Sequence, residues 1–297
     1  MAKSDRSISE RHGYNAGVKS LFGSLDPGEL TEKARRELSA ASSYRWLRRF
    51  LIDALGLTEK PNPEYLIIMG CIRPFDVPMA LLNYFRLLDQ LGIAYAFLRD
   101  REYCSNLPAY LTARGKEDWE AADAGAKELR EMNLAHARAL GVKAACYFCS
   151  DGFAIAQRLF KKFGSDMEPL YCLDIVKERL GGRALQLSPR VIGYYQGCWR
   201  EQFELNPKLE IDFAGYRTMM DTIEGIEVVD LPRNLCCKRD ISAVVEAAER
   251  QGVNCIVTPC AGCQLRVATL RRVPALMLSD IVLEAVSHEG IGFDQRW

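Results

Sequence analysis

Three short stretches of this chain decide its interpretation: Gly197-Cys198, then Leu235-Cys236-Cys237-Lys238, then Pro259-Cys260-Ala261-Gly262-Cys263. Each stretch directly follows an apolar run that is typical of a buried strand, at about 190–196, 225–231 and 252–258. The carboxyl ends of parallel strands meet at one edge of a sheet, so we expect the five cysteines to share one loop face. Five soft thiolates grouped in this way predict the binding of iron and sulfide.

The first half of the chain has the same plan. A predicted strand at 64–69 leads to Cys71, one at 93–98 delivers Cys104, and one at 142–146 leads into Cys146-Tyr147-Phe148-Cys149. The spacing of glycines supports an internal duplication of a β-α-β-α-β unit. The matching landmarks are Gly70-Cys71 with Gly197-Cys198, Gly92-Ile93 with Gly225-Ile226, and Gly141-Val142 with Gly252-Val253.

Helical periodicity fills the intervals between these strands, at about 78–91, 119–140, 212–223 and 241–251. Strands that alternate with helices predict an α/β fold with mainly parallel sheets. We therefore expect two duplicated α/β half-domains with cysteine loops at the carboxyl ends of the strands, preceded by an N-terminal helical extension. The predicted boundaries are 1–62 for the extension, 63–188 for the first cysteine-rich half and 189–297 for the second.

The extension is predicted to contain a helix that begins at Pro27, with Asp26 as its N-cap, and runs to Leu55. Its later part, at residues 44–51, is predicted to be amphipathic. Three arginines form its polar face, and it either packs on the core or docks a partner subunit. The polar residues are Arg45, Arg48 and Arg49, and the apolar ones are Trp46, Leu47, Phe50 and Leu51.

The overall composition excludes several classes of function. Lys and Arg together number 39, as do Asp and Glu, so there is no excess charge to attract nucleic acid or an anionic membrane. No apolar run is long enough to span a bilayer, and the N-terminus lacks the apolar segment of a secretory signal. We expect a cytoplasmic protein. In that reducing compartment, eleven cysteines indicate metal or redox chemistry rather than disulfides.

The second-half pattern, C-x37-CC-x22-CxxC, resembles the cysteine-rich CCG domain found in the B-type subunits of the heterodisulfide reductase family. The resemblance extends from about residue 64 to the end and includes the tandem arrangement. It implies that one five-cysteine set ligates a non-cubane [4Fe–4S] cluster and carries the catalysis. Those residues are Cys198, Cys236, Cys237, Cys260 and Cys263.

The chain departs from the family pattern in three ways. Lys238 replaces the glycine that follows the cysteine pair, and the x22 gap is short. In the first half, Tyr103-Cys104-Ser105 stands where the CCG tripeptide belongs. Four first-half thiolates are left as predicted cluster ligands, enough for an ordinary cubane or an altered cluster: Cys71, Cys104, Cys146 and Cys149.

The resemblance implies an iron–sulfur oxidoreductase subunit that acts on a thiol, disulfide or persulfide substrate. Sulfur-oxidising versions of the complex also contain subunits with one altered motif. No G-x-G-x-x-G fingerprint of a bound flavin or nucleotide is present, so electrons must be exchanged with a partner. In the family, the partners are a ferredoxin-like iron–sulfur subunit and a flavoprotein subunit.

Other interpretations remain open from the residues. The chain could be a pure electron-transfer subunit of a lactate- or glycolate-type dehydrogenase, although the C-x2-C-x2-C-x3-C-P segment common there is absent. It could hold zinc on four cysteines, or either CxxC could be a thioredoxin-like dithiol that leaves the upstream cysteines unexplained. Cys172 and Cys255 are expected to be buried structural residues.

Overall fold

Alternating helices and strands build this protein, as the computed structural model shows. Most of the predicted extension lies outside the described residues, as does Cys71, and of residues 42–47 only the backbone is described. The structure describes residues 42–70, 73–99, 101–142, 144–233 and 235–287.

Twelve helices and eight strands occur in the described part of the chain. The helices are α1 (Ser42–Ala54), α2 (Arg73–Asp76), α3 (Pro78–Gln90), α4 (Leu107–Thr112), α5 (Lys116–Ala139), α6 (Ser150–Phe163), α7 (Cys172–Leu180), α8 (Arg200–Leu205), α9 (Phe213–Asp221), α10 (Ile241–Arg250), α11 (Ala261–Ala268) and α12 (Leu278–Ser287). The strands are β1 (Tyr65–Ile68), β2 (Tyr95–Phe97), β3 (Ala144–Tyr147), β4 (Glu168–Tyr171), β5 (Leu185–Tyr194), β6 (Ile223–Asp230), β7 (Cys255–Thr258) and β8 (Ala275–Met277).

The strands form two parallel sheets of four strands each, in the orders β2-β1-β3-β4 and β6-β5-β7-β8. The first strand of each set lies between the second and the third, and the fourth is at the edge. The predicted α/β class and its duplication are therefore confirmed. The central strands β1 and β3 are short and mostly apolar, as expected where helices cover both faces of a parallel sheet. The central strand β5 of the second sheet is longer, and most residues of its first half are exposed.

Packing divides the chain into two compact units. Unit 1 contains the described residues up to Pro74, Tyr95–Pro169 and Arg200–Leu209, and so includes α8 from the second half of the sequence. Unit 2 contains Phe75–Ala94, Leu170–Trp199 and the described residues from Glu210 on, and so includes α3 from the first half.

Within unit 2, α3 packs against α12. Asn83 on α3 donates a hydrogen bond to the buried carboxyl of Asp280 on α12, at 3.0 Å. The same carboxyl accepts the backbone N–H of Met277 at 2.8 Å. None of the described helices is both long enough and apolar enough to cross a membrane.

Candidate metal centre

The predicted second-half cysteines lie beyond the carboxyl ends of three adjacent strands of unit 2. Cys198 follows β5, the Cys236-Cys237 pair follows β6, and Cys260 follows β7 directly before α11. Since these strands are parallel, the three loops are at one edge of the sheet. Cys263 lies in the first turn of α11, where backbone N–H groups favour negatively charged thiolates.

The thiols of this set contact one another. Hydrogen bonds to Cys237 and then to Cys260 raise the pKa of the Cys263 thiol well above its ordinary value. A hydrogen bond to Cys236 likewise raises the pKa of Cys237. At neutral pH, thiols that raise each other's pKa in this way ionise together when a positive charge lies among them, and a metal centre would supply such a charge.

Gly197 allows the loop after β5 to approach these thiols. Its φ is +84°, in the left-handed region that favours glycine. A Cβ at this position would lie 3.2 Å from the Cys263 Sγ. The glycine thus brings the backbone before Cys198 close to the helix that carries Cys263.

Two aromatic residues next to Cys198 support the site. Tyr195 is buried, and its hydroxyl donates a hydrogen bond to the Leu235 carbonyl at 2.7 Å, which holds the segment before the cysteine pair. Burial raises the pKa of Tyr195, and the charges of Cys263, Cys237, Cys198 and Cys236 raise it further. Trp199 is also buried, and its ring Nε1–H donates to the Gln196 carbonyl at 2.8 Å.

Lys238, which stands where the family pattern has glycine, lies near Cys260 and Cys263. Burial lowers the pKa of its ammonium group to about 7, and the charge of Cys260 opposes that change. The residue as a whole is exposed, so water limits this shift, and the protonated group can offset part of the charge of nearby thiolates.

The cysteine set has a geometry other than that of a single-ion site. Among the residues that the structure describes, no three His, Cys, Asp or Glu side chains are grouped as the ligands of one metal ion. The hydrogen bonds of Cys263 with Cys237 and Cys260 nevertheless place these three thiols in mutual reach. In an iron–sulfur cluster, the thiolates bind different iron atoms, so the cluster does not require a single-ion arrangement.

Strand pairing shows which first-half residues correspond to the second-half set. In unit 1, Ile67 of β1 pairs with Cys146 of β3, and in unit 2, Tyr194 of β5 pairs with Val257 of β7. Cys146 thus matches Val257, a strand residue. Three residues further on, Cys149 (146 + 3) matches Cys260 (257 + 3), and each directly precedes a helix.

The same counting places the remaining positions. Ile67 pairs with Phe97 and Tyr194 with Asp230, so Cys104 (97 + 7) matches Cys237 (230 + 7). Tyr103 then stands in place of Cys236, and Gly152 (149 + 3) in place of Cys263 (260 + 3). Two of the five thiol positions therefore carry no sulfur in the first half.

Unit 1 has a cavity at these first-half positions. Cys104 and Cys149 both line it, whereas the buried Cys146 does not. Residues next to one another in a strand point to opposite faces, and Tyr147 lines the cavity, which is why Cys146 faces away from it. Cys71 lies outside the described residues, and the role of the four first-half cysteines as ligands stays a prediction.

The sequence contains a signal for this correspondence, which is missed when the two CxxC motifs are aligned with each other. Cys149 comes eight residues after Gly141 (149 − 141), and Cys260 comes eight after Gly252 (260 − 252). Cys149, the second cysteine of the first CxxC, therefore matches Cys260, the first cysteine of the second CxxC, and the two motifs are offset by three residues. Tyr195, Trp199 and the cavity residues gave no comparable signal because their roles depend on contacts between distant segments.

The two cysteines expected in the core are both buried. Cys172 begins α7, and Cys255 lies inside β7. Burial raises the pKa of Cys255 to about 12, so this thiol stays protonated at neutral pH.

Comparison with known proteins gives one match to a described family. Residues 241–268, which contain Cys260 and Cys263, match the family described as the cysteine-rich domain CCG. The match points to the cysteine-rich domains of iron–sulfur-type oxidoreductases and supports this part of the sequence interpretation. No curated protein matches the chain.

Two solved structures are similar to the chain at low TM-scores. One is a proposed Asp/Glu racemase from Yersinia pestis, with a TM-score of 0.37, 17% identity, and coverage of 76% of this chain and 98% of that one. The other is an aspartate racemase homologue from Pyrococcus horikoshii OT3, with a TM-score of 0.33, 13% identity and the same coverages. At TM-scores this low, neither likeness says anything about activity.

Proposed function

We propose that unit 2 holds one [4Fe–4S] cluster, of the non-cubane kind, and that the protein is an oxidoreductase subunit resembling the B-type subunit of heterodisulfide reductase. The observation that supports this most directly is the contact among thiols from separate loops, in which Cys263 hydrogen bonds to Cys237 and Cys260. The proposed ligands, which would also be the catalytic residues, are Cys198, Cys236, Cys237, Cys260 and Cys263.

The residues of unit 2 fit such a group. Cys236, Cys260 and Cys263 are buried, so thiolates held there are protected from solvent. A bound cluster would supply one-electron transfer and an iron atom to which a substrate sulfur can bind. The chain itself supplies the thiolates, the hydrogen bond from Tyr195 that orients the cysteine-pair loop, and the nearby Lys238 cation.

The proposed substrate is a thiol, disulfide or persulfide, and the proposed partners are a ferredoxin-like iron–sulfur subunit and a flavoprotein subunit. Both proposals rest on the resemblance of the cysteine pattern and on the absence of a nucleotide-binding fingerprint from the sequence. A signal from the anaerobic protein that changes when thiol or disulfide is added, as seen by paramagnetic resonance, would support sulfur chemistry. An unchanged signal would favour an electron-transfer role.

A matched pair of cysteine variants tests the cluster itself. Cys263→Ala removes a thiol of the proposed set, and Cys255→Ala removes an equally buried thiol from the adjacent strand. After anaerobic purification, we expect C263A to lose most of its iron and acid-labile sulfide, and C255A to keep the wild-type content. Equal iron in both variants, or zinc in place of iron in the wild type, would contradict the proposal.

A further inference from the structure

The cavity of unit 1 differs from the thiol cluster of unit 2 in what lines it. It lies at the positions that match the cluster, but Gly152 leaves open the place of a cysteine side chain. A Cβ on Gly152 would meet no atom closer than 3.5 Å. The cavity has a volume of about 70 Å³, which is larger than the space that one water molecule needs.

A buried arginine from α5 lines this cavity. The side chain of Arg130 is only 6% exposed, and its Nε has no hydrogen-bond partner among the described residues. One terminal nitrogen donates to the Met167 carbonyl at 3.2 Å. Burial of a guanidinium with an unused donor is unfavourable, so an acceptor in the cavity would be stabilising.

The carboxylates near this arginine do not neutralise it closely. Within the described part of the chain, Glu131 alone lies at ion-pair distance from Arg130, at 3.9 Å, and Arg138 holds it more closely, at 2.8 Å. The two carboxylates that do line the cavity, Glu102 and Asp151, each face another arginine. Glu102 is paired with Arg48 at 2.8 Å, and Asp151 lies 4.0 Å from Arg73.

The rest of the wall is largely hydrocarbon. The apolar lining includes Leu107, Ala126, Ile155 and Leu159, and Cys104 and Cys149 also line the cavity. The remaining polar side chains of the wall are uncharged: Tyr103, Ser105, Asn133 and Tyr147. Such a mixture, with the guanidinium groups of Arg73 and Arg130 among apolar side chains, suits a ligand that has an acidic head and a short apolar body.

We propose that the cavity of unit 1 binds a small carboxylate with a short hydrocarbon chain and that Arg130 receives its carboxylate group. A guanidinium can bind both oxygens of a carboxylate through two parallel hydrogen bonds, which gives the site its preference for an anion. This site goes beyond the proposed cluster of unit 2 and needs no iron.

Titration of the full-length protein with butanoate, followed by calorimetry, tests the proposal. Butanamide is the neutral control because it has the same shape without the charge. We expect butanoate to bind and butanamide to bind at least about tenfold more weakly. Equal affinity for the two compounds, or binding of neither, would overturn the proposal.

Two variants of basic residues on the same helix localise the site. Arg130→Gln should weaken butanoate binding by at least about tenfold, and Arg130→Lys should restore part of it. Lys116→Gln is the matched control because that side chain is exposed and does not line the cavity. Unchanged binding by R130Q, or an equal loss in K116Q, would refute the role of Arg130.

A measurement on the wild type covers the case in which R130Q does not fold. Butanoate in the cavity should slow the alkylation of Cys149 by iodoacetamide, as read by mass spectrometry, and butanamide should not. Equal alkylation rates with both compounds would count against the site. The iron lost by C263A tests the cluster of unit 2 separately, so failure of either proposal leaves the other standing.

Discussion

At the scale of single residues, the contrast between the two halves depends on which positions kept a thiol. Cys104 and Cys149 match Cys237 and Cys260, whereas Gly152 stands opposite Cys263. Because glycine has no side chain, this position leaves open volume in unit 1 where unit 2 has a thiol. The proposed cluster of unit 2 and the proposed ligand site of unit 1 thus occupy matching positions of the duplicated unit.

Gly197 provides the first prediction. Gly197→Ala should lose iron, because the new methyl group would lie 3.2 Å from the Cys263 Sγ. Gly252→Ala is the matched control: its φ is also positive, at +64°, but a Cβ there meets nothing within 4 Å. Both variants carry a backbone strain of about 1–2 kcal/mol. Iron per chain after anaerobic purification should fall in G197A alone, and a parallel fall in G252A would assign the effect to strain.

At the scale of elements, most of the fold could be predicted because the strands and helices have clear periodicities. The predicted helix at 78–91 is observed as α3, and that at 241–251 as α10. The fourth strand of each sheet was missed. β4 is Glu-Pro-Leu-Tyr and β8 has three residues, so neither shows a strand pattern. Their presence depends on pairing with a neighbour rather than on local sequence.

The helices that follow these two unpredicted strands begin with the same hydrogen bond. The backbone N–H of Tyr171, at the end of β4, donates to the Asp174 carboxyl at 3.0 Å. Met277, at the end of β8, makes the same bond to Asp280 at 2.8 Å. A carboxyl in the first turn satisfies an N–H that the helix itself leaves unpaired. The duplication thus extends past the cysteine loops into the last strand–helix connection.

The polarity of α1 was predicted wrongly. Arg48 was assigned to the polar face and Phe50 to the apolar face, but Arg48 is 1% exposed and Phe50 is 54% exposed. Arg48 Nη2 donates to Glu102 at 2.8 Å, and its Nη1 donates to the Gly70 carbonyl at 3.0 Å. A buried arginine with a partner distant in sequence cannot be recognised from helical periodicity.

This buried pair gives the second prediction. Glu102 also accepts the N–H groups of Met69 and Gly70, at 3.0 and 2.7 Å. Glu102→Ala leaves Arg48 buried without its carboxylate, and we expect a loss of about 3–5 kcal/mol in the stability of unit 1. Hydrogen exchange of the amides in β1 and β2 measures the change.

The control for this prediction is an exposed ion pair in the same unit. Asp53 lies 3.2 Å from Arg99, and both side chains are more than two-fifths exposed. Asp53→Ala should therefore cost less than about 1 kcal/mol. If E102A and D53A change the exchange rates equally, the buried pair does not stabilise the unit as argued.

At the scale of the whole molecule, the packing units are not continuous in sequence. Unit 2 includes α3, whose Asn83 bonds to Asp280 almost two hundred positions later. Sequence periodicity predicted α3 itself, but it holds no information on which unit the helix joins. The predicted boundaries at residues 62 and 188 thus stay predictions about sequence repeats, while packing follows contacts formed after the chain folds.

Asp280 gives the last prediction, on the pH dependence of stability. Burial raises its pKa to about 7, and the hydrogen bonds from Asn83 and Met277 only partly oppose that rise. The folded protein therefore keeps a proton that the unfolded chain releases near pH 4. The neutral carboxyl of Asp280 stabilises the folded state fully below about pH 4. This stabilisation is lost as the pH rises to about 7, with a total of roughly 4 kcal/mol.

Asp280→Asn should remove this dependence, because an amide stays neutral over the whole range and can still accept a hydrogen bond. Urea unfolding of unit 2 at pH 5 and pH 8 should show the wild type weaker at pH 8, and D280N changed much less. Asp89→Asn, at an exposed position on α3, is the control and should follow the wild type. If D280N instead loses stability between pH 5 and pH 8 as steeply as the wild type, another group causes the loss. In that case, Asp280 does not titrate between pH 5 and pH 8, and the strength of the bond between α3 and α12 does not depend on pH in this range.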